Sequence, residues 1–353
     1  MFLPNAPTAL PGKTPRRRTN WPARRACSRK AVGLLASVAA LLLVGFGLAQ
    51  CSPKPYAKIF RPLVNSLNPV KLVPYADKIK EATVHEPLTI PVAGAPAAQL
   101  LLYTPTQPAA TPRPLVLFIH GGGWMGGTAQ QLSPFAKLLA AEGCVVASLD
   151  YSLAPEYTYP TPIRQAVAAI DYLQAHANDY GADPAKLFLG GNSAGAQLAS
   201  QLGAMMTNPA FAKQVGILSP LPARHLKGVI LYSGPYNFDT VGKDNFPGFE
   251  RFIWAYTGQK AYLKYARIDE LSTVKQATAA YPPTYLTTGD ADPLAPQTAE
   301  LDSVLRAKGV DVTSRFWTDS GKKLPHDYIF DLTTEAGQTA FQDVVTFIRA
   351  KAH

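Results

Sequence analysis

The first fifty residues contain no acidic side chain, and that gap accounts for most of the chain's charge. They carry Lys13, Arg16, Arg17, Arg18, Arg24, Arg25, Arg29 and Lys30, while the remaining 26 Lys and Arg are set against 24 Asp and Glu. The net charge of +10 is therefore a property of the tail, and the near-neutral body offers no basic footprint for nucleic acid. Cysteine is scarce as well. Cys27, Cys51 and Cys144 are too few to build a disulfide framework. There is no G-x-y period, no sustained heptad and no repeat of 20–50 residues, which excludes collagen, coiled coil and solenoid. What the 353 residues do have is a 47% hydrophobic fraction, enough for a packed core and against wholesale disorder.

Residues 31–49 form a charge-free run, AVGLLASVAALLLVGFGLA, immediately behind the cations. Its length is near the lower limit for a membrane-crossing helix. Under the positive-inside rule, residues 1–30 are expected to stay cytoplasmic as a basic, disordered tail, with the body outside the cytoplasm. A retained anchor is the first expectation. Leu48-Ala49-Gln50-Cys51 resembles a lipobox, with Gln50 departing from the small residue expected there, and Arg24-Arg25 echoes a twin-Arg signal. A lipoprotein or a cleaved, secreted form are the alternatives. Residues 50–81, rich in Pro, Lys and Tyr, read as a linker or a segment draped over the domain.

From residue 82 onward the pattern becomes regular. Residues 83–90 and 99–103 read as short strands, and residues 115–119 (LVLFI) as a strand buried on both faces. Further strands are expected at 144–149, 186–189, 229–232, 284–287 and 312–317. Between them lie helical stripes: Leu132/Phe135/Ala136/Leu139, Ile163/Val167/Ile170/Leu173, Leu198/Leu202/Met205 and Leu301/Val304/Leu305, with Phe341/Val344/Val345/Ile348 last. That alternation predicts an α/β fold over 82–353, a mostly parallel sheet covered on both faces. The aromatic-rich interval at about 235–283 breaks it, and reads either as a connection with its own small core or as a cap-like insertion walling a pocket.

Chemistry concentrates at three places. Gly191-Asn192-Ser193-Ala194-Gly195 is a G-x-S-x-G that follows a predicted strand and opens a predicted helix, the context in which a serine Oγ is pushed into a cleft. The N–H of Ala194 then points where an oxyanion would form. His120-Gly121-Gly122-Gly123-Trp124 follows the LVLFI strand, and its glycines allow backbone N–H groups to aim inward. His120 itself is expected to orient this loop. Late in the chain, Gly289-Asp290-Ala291-Asp292-Pro293-Leu294 offers two candidate acids, and His326 sits in a loop before the last helix. Glu156 precedes Ser193 and is expected to be structural, as is Cys144, in the core.

On these motifs the sequence resembles the α/β-hydrolases, close to the hormone-sensitive-lipase-like and related bacterial carboxylesterases. The H-G-G-G oxyanion motif matches residues 120–123, the G-x-S-A-G elbow residues 191–195, and Y-R-L-A-P-E matches Tyr151-Ser152-Leu153-Ala154-Pro155-Glu156 with Ser152 in place of Arg. The resemblance spans about 82–351 and implies Ser193, Asp292 and His326 as the triad, because the family's acid precedes Pro-Leu. It implies N–H groups of Gly122, Gly123 and Ala194 as the oxyanion hole, and Trp124 as part of the substrate pocket. There are further departures: Asn192 where Asp is common, Ala295-Pro296 after Asp292-Pro293-Leu294 where further acids are often seen, and Asp327-Tyr328 after the histidine in place of Gly-Phe. The expected activity is serine ester hydrolysis through an acyl-enzyme on short to medium acyl esters, with no metal or organic cofactor. Neighbouring groups act on feruloyl or acetyl-sugar esters or on formamides, and a tethered, non-catalytic binding protein is the alternative of another class. The expected partners are a small ester and, through residues 31–49, a membrane. Nothing in the sequence sets the oligomeric state.

Overall fold

The computed structural model describes residues 51–218 and 221–353. The basic tail and the charge-free run at 31–49 lie outside the described residues. Among the described residues no helix is long and apolar enough to cross a membrane.

Among the described residues nine strands form one sheet: β1 (Ala82–Val84), β2 (Leu88–Ile90), β3 (Ala98–Pro105), β4 (Arg113–Ile119), β5 (Val145–Asp150), β6 (Ala182–Asn192), β7 (Leu226–Tyr232), β8 (Thr284–Thr288) and β9 (Val312–Phe316). The order is β1-β3-β5-β4-β6-β7-β8-β9, with β2 also pairing with β3. Pairing is antiparallel among the first three strands and between β3 and β5, then parallel from β5 through β4 to β9. The expected single strand over 83–90 is two short strands, β1 and β2, each laid against β3.

The continuous apolar runs are explained by burial on both faces. Leu115, Leu117 and Ile119 of β4 enter one core, and Val116 and Phe118 the other. The first face is covered by α3 (Thr161–His176), α4 (Ala194–Thr207) and α8 (Ala295–Ala307), and the second by α2 (Ser133–Ala141) and α9 (Glu335–Lys351). The stripes read from the sequence follow the buried faces of these five helices, with Val167 and Val304 half-buried and Leu132 just before α2. Cys144, just before β5, is buried in the second core, and desolvation pushes its thiol up to about 12. Besides α5 (Pro209–Val215), the chain between β7 and β8 adds α6 (Phe249–Thr257), α7 (Thr273–Gln276) and three short 3-10 turns.

The segment at 50–81, read as a linker or as a stretch draped over the domain, contains a helix, α1 (Lys54–Ser66). Three prolines conceal it in the sequence. Pro53 and Pro55 sit at its start, where the missing N–H costs nothing, and Pro62 lies inside it. Tertiary contacts hold it down. Arg61 donates to the carbonyls of Met125 (2.8 Å) and Ala154 (2.8 Å) and to Glu156 (2.6 Å). Asn65 Oδ1 accepts from the N–H of Gly127, and Gln131 Nε2 donates to the carbonyls of Val64 and Leu67 at the helix end. Glu156 is thereby structural, as expected, and Arg61 more than offsets the cost of its partial burial and keeps its carboxyl below the usual range. Arg61→Ala removes three charge-assisted bonds. Chemical denaturation should register a loss of about 2 kcal/mol, and limited proteolysis should cut within residues 54–66 before the rest of the body.

Candidate active site

The site is built where β4, β6 and β8 end. Ser193 stands between β6 and α4 with φ 52° and ψ −120°, a conformation that non-glycine residues rarely adopt. The glycines around it are there because nothing larger fits. A Cβ on Gly191 would lie 2.4 Å from the Gly195 carbonyl group, and one on Gly195 would lie 2.0 Å from the carbonyl oxygen of Ile119. The elbow therefore presses backbone to backbone against the end of β4, and the Ser193 N–H donates to the Tyr232 carbonyl at 2.8 Å.

The loop after β4 turns back on itself. Gly122 (φ 110°), Gly123 (φ 60°) and Trp124 (φ 57°) are all left-handed, and the N–H groups of Met125 and Gly126 donate to the Gly122 carbonyl. Among the described residues none accepts a hydrogen bond from the N–H of Gly122, Gly123 or Ala194. His120 is buried beneath this loop. Its ring stacks on Tyr151 at 4.3 Å, and its Nε2 lies 3.4 Å from Asp150. The orienting role read from the sequence fits this placement. The Y-S-L-A-P-E stretch is tied in by Tyr151, whose hydroxyl donates to the His120 carbonyl, and by Ala154, whose N–H donates to the Trp124 carbonyl.

His326 and the two acids come together after β8. Nδ1 of His326 lies 3.0 and 3.1 Å from the two oxygens of Asp292. The Asp292 side chain is fully buried, and Thr288 Oγ1 and the Leu294 N–H also donate to it. Burial opposes its ionisation, but the hydrogen bond and charge of His326, with bonds from Ser233 and Leu294, hold its carboxyl below the ordinary value. Asp290 does a different job. It accepts from the N–H groups of Leu324 (2.6 Å) and Lys323 (3.2 Å) and from the Ser320 hydroxyl, and so fixes the loop that carries His326.

Ser193, His326, Gly122, Gly123, Ala194 and Trp124 all line one cavity of about 500 Å³. The indole of Trp124 forms part of its floor, nearly wholly buried, stacked on Tyr256 at 4.8 Å and donating from Nε1 to Gln197 at 3.3 Å. Of the aromatics in the interval 235–283, Phe246, Phe249 and Phe252 face the cavity. Phe238 packs behind them, between Trp124 and Phe249. The interval thus supplies three rings to the cavity wall and a fourth to the packing behind it. Sequence reasoning missed the adjoining wall, Tyr56, Phe60 and Val64 of α1, where the two rings pack on Phe252. Their i, i+4, i+8 spacing was the available signal.

The fold and the site's arrangement define a class, and comparison with known proteins supplies the family. The family described as alpha/beta hydrolase fold matches residues 116–329, and the chain belongs to it. It is 28% identical over 210 residues to a versiconal hemiacetal acetate esterase of Dothistroma septosporum, covering 56% of this chain and 62% of that protein. It is 28% identical over 221 residues to an acetyl esterase of Salmonella choleraesuis, covering 58% and 62% respectively. The chain therefore spans less than two thirds of the length of these curated relatives. Among solved structures, a bacterial heroin esterase aligns with a TM-score of 0.64 at 25% identity, covering 84% of this chain and 90% of that one.

The glycine contacts yield a stability test. Gly195→Ala forces a methyl group into the Ile119 carbonyl and should cost about 3 kcal/mol or more in urea unfolding, or prevent folding. Gly309→Ala, at φ 77° but with open space around it, should cost only about 1 kcal/mol.

Proposed function

We propose that the protein is a serine carboxylic-ester hydrolase that works by acyl transfer. Ser193 attacks the ester carbonyl, and His326 takes its proton and later returns one to the leaving alcohol. Asp292 fixes the imidazole tautomer and stabilises its positive charge. The N–H groups of Gly122, Gly123 and Ala194 receive the oxyanion, and water then releases the acyl group. The observation that carries this reading is His326, paired with the buried Asp292 at 3.0 Å and lining the same cavity as a serine held at φ 52°. The names of the relatives, an acetate esterase and an acetyl esterase, agree with ester chemistry. The apolar walls from α1 and α6 and a cavity of about 500 Å³ suit short to medium acyl chains.

Ser193→Ala and His326→Ala should each lose at least about 10³-fold in kcat/KM on p-nitrophenyl esters while staying folded. Asp292→Asn should lose far more activity than Asp290→Asn. With the wild type, kcat/KM should peak at a short or medium acyl chain. A rate still rising at long chains would point to a lipase, and formamide, feruloyl and acetyl-sugar substrates in the same panel separate the neighbouring activities. Failure of Ser193 to react with a fluorophosphonate would favour a binding protein.

We also propose that the body is displayed at a membrane outside the cytoplasm, on the strength of the charge-free run at 31–49 behind eight cations. Ile59 and Leu63, exposed on α1 further along the chain, suit a site close to lipid. Fractionation of the full-length protein, followed by protease treatment of intact cells, should find it membrane-bound and accessible. A body soluble in the cytoplasm would refute this topology. Cys51→Ser should alter mass and membrane association only if the lipoprotein form is made.

A further inference from the structure

Two of the departures from the family's motifs, Asn192 in the elbow and Asp327 after the histidine, touch each other. Asn192 Nδ2 donates to Asp327 Oδ2 at 2.8 Å, and Asn192 Oδ1 accepts from the Gly121 N–H at 2.9 Å. One amide side chain thus bridges the histidine loop to the start of the glycine loop. Where the elbow commonly carries an acid, this chain has the neutral partner, and the acid stands beside the catalytic imidazole instead. Asp327 Oδ2 lies 3.8 Å from His326 Nε2, the ring nitrogen opposite the one that Asp292 holds. The backbone of Asp327 is left-handed, φ 60°, a turn that keeps its side chain on the cavity side, where it lines the wall with His326. Its other oxygen, Oδ1, is buried with no hydrogen-bond partner among the described residues. A buried carboxylate satisfied on one oxygen only is costly unless a cation compensates it, and protonated His326 is the cation within reach.

We propose that Asp327 is a positioning residue of the triad, a second carboxylate that holds the imidazolium of His326 from its Nε2 side and is itself held by Asn192. The proposal rests on the Ser193–His326–Asp292 reading and adds a fourth group to it. When the proton of Ser193 arrives at Nε2, the new positive charge forms between two carboxylates, Asp292 at one edge of the ring and Asp327 at the other. The remaining neighbours of the ring carry no charge at neutral pH: Phe246 from the β7–β8 connection, edge-on at 5.0 Å, and Ser193 and Asn192 from the elbow.

Charge supports the geometry. Burial opposes protonation of His326, but the charge of Asp327, then the hydrogen bond and charge of Asp292, raise it from 6.5 to about 9. Burial also raises Asp327, an effect that His326 and the Asn192 bond offset in part. The sign for catalysis follows. Only the neutral ring accepts the serine proton, so the reaction is slow while His326 is protonated and speeds up as pH rises through its pKa. Removing Asp327 should move that rise to lower pH.

The test is the rate at which a fluorophosphonate labels Ser193 in the full-length protein, measured against pH, alongside kcat/KM on a p-nitrophenyl ester. Wild type should rise with a midpoint well above the ordinary histidine value. Asp327→Asn, which tolerates the left-handed backbone, should lower the midpoint by about one pH unit and reduce the plateau at high pH. Asp327→Gly, which suits φ 60° without strain, removes the carboxylate by a second route and should shift the midpoint the same way. A merely structural role would change rates without moving the midpoint. A midpoint that stays in place in both folded variants overturns the proposal and leaves the triad standing. A wild type that neither labels at any pH nor cleaves the ester overturns the triad reading, and this proposal with it.

Discussion

Everything at this site depends on a contact that leaves no room for a side chain. The elbow between β6 and α4 lies against the end of β4, so that a methyl group on Gly195 would fall 2.0 Å from the Ile119 carbonyl oxygen. That closeness brings two loops from different strands into one place. One presents Ser193 and the N–H of Ala194, and the other the N–H groups of Gly122 and Gly123. It is secured by backbone geometry, because the cores on both faces of the sheet hold β4 and β6 in parallel register, Ile119 beside Gly191. The strain at Ser193 is sustained by that rigid surrounding.

Much of this arrangement is legible in the amino-acid sequence alone. Leu115, Val116, Leu117, Phe118 and Ile119 announce a strand buried on both sides, and the helix stripes coincide with the buried helix faces. Gly191 and Gly195 are readable because tight turns leave few chemical options, and the order of Ser193, Asp292 and His326 follows from the same fold. What the linear pattern hides is tertiary. Helix α1 is obscured because Pro53, Pro55 and Pro62 argue against a helix locally, while what holds it in place is tertiary: the bonds of Arg61, Asn65 and Gln131 and the packing of Tyr56 and Phe60 on Phe252. Asn192 and Asp327 are visible as separate oddities 135 positions apart, with nothing along the chain to pair them.

The acids of the late loops divide the labour by burial. Asp292 is withdrawn from water and bonded to His326, whereas Asp290 stays at the surface and spends its oxygens on the N–H groups of Leu324 and Lys323. One is bonded to the imidazole and the other holds the loop that carries it. Neighbours two residues apart do such different work because the chain turns between them: the Ala291 N–H bonds to the Leu324 carbonyl, and the Asp292 N–H to that of Gly289.

The placement of α1 has a consequence for how the protein can be cut. The sheet begins at Ala82, and a fragment starting there would retain the serine, the histidine, both acids and every glycine of the oxyanion loop. It would lack Tyr56, Phe60 and Val64, and with them one side of the cavity and the ring that packs on Phe252 at 4.8 Å. Such a fragment would hold its reacting groups in an open trough, wetted from the side that α1 covers. In this chain the sheet and the wall that encloses its cavity come from different stretches of polypeptide.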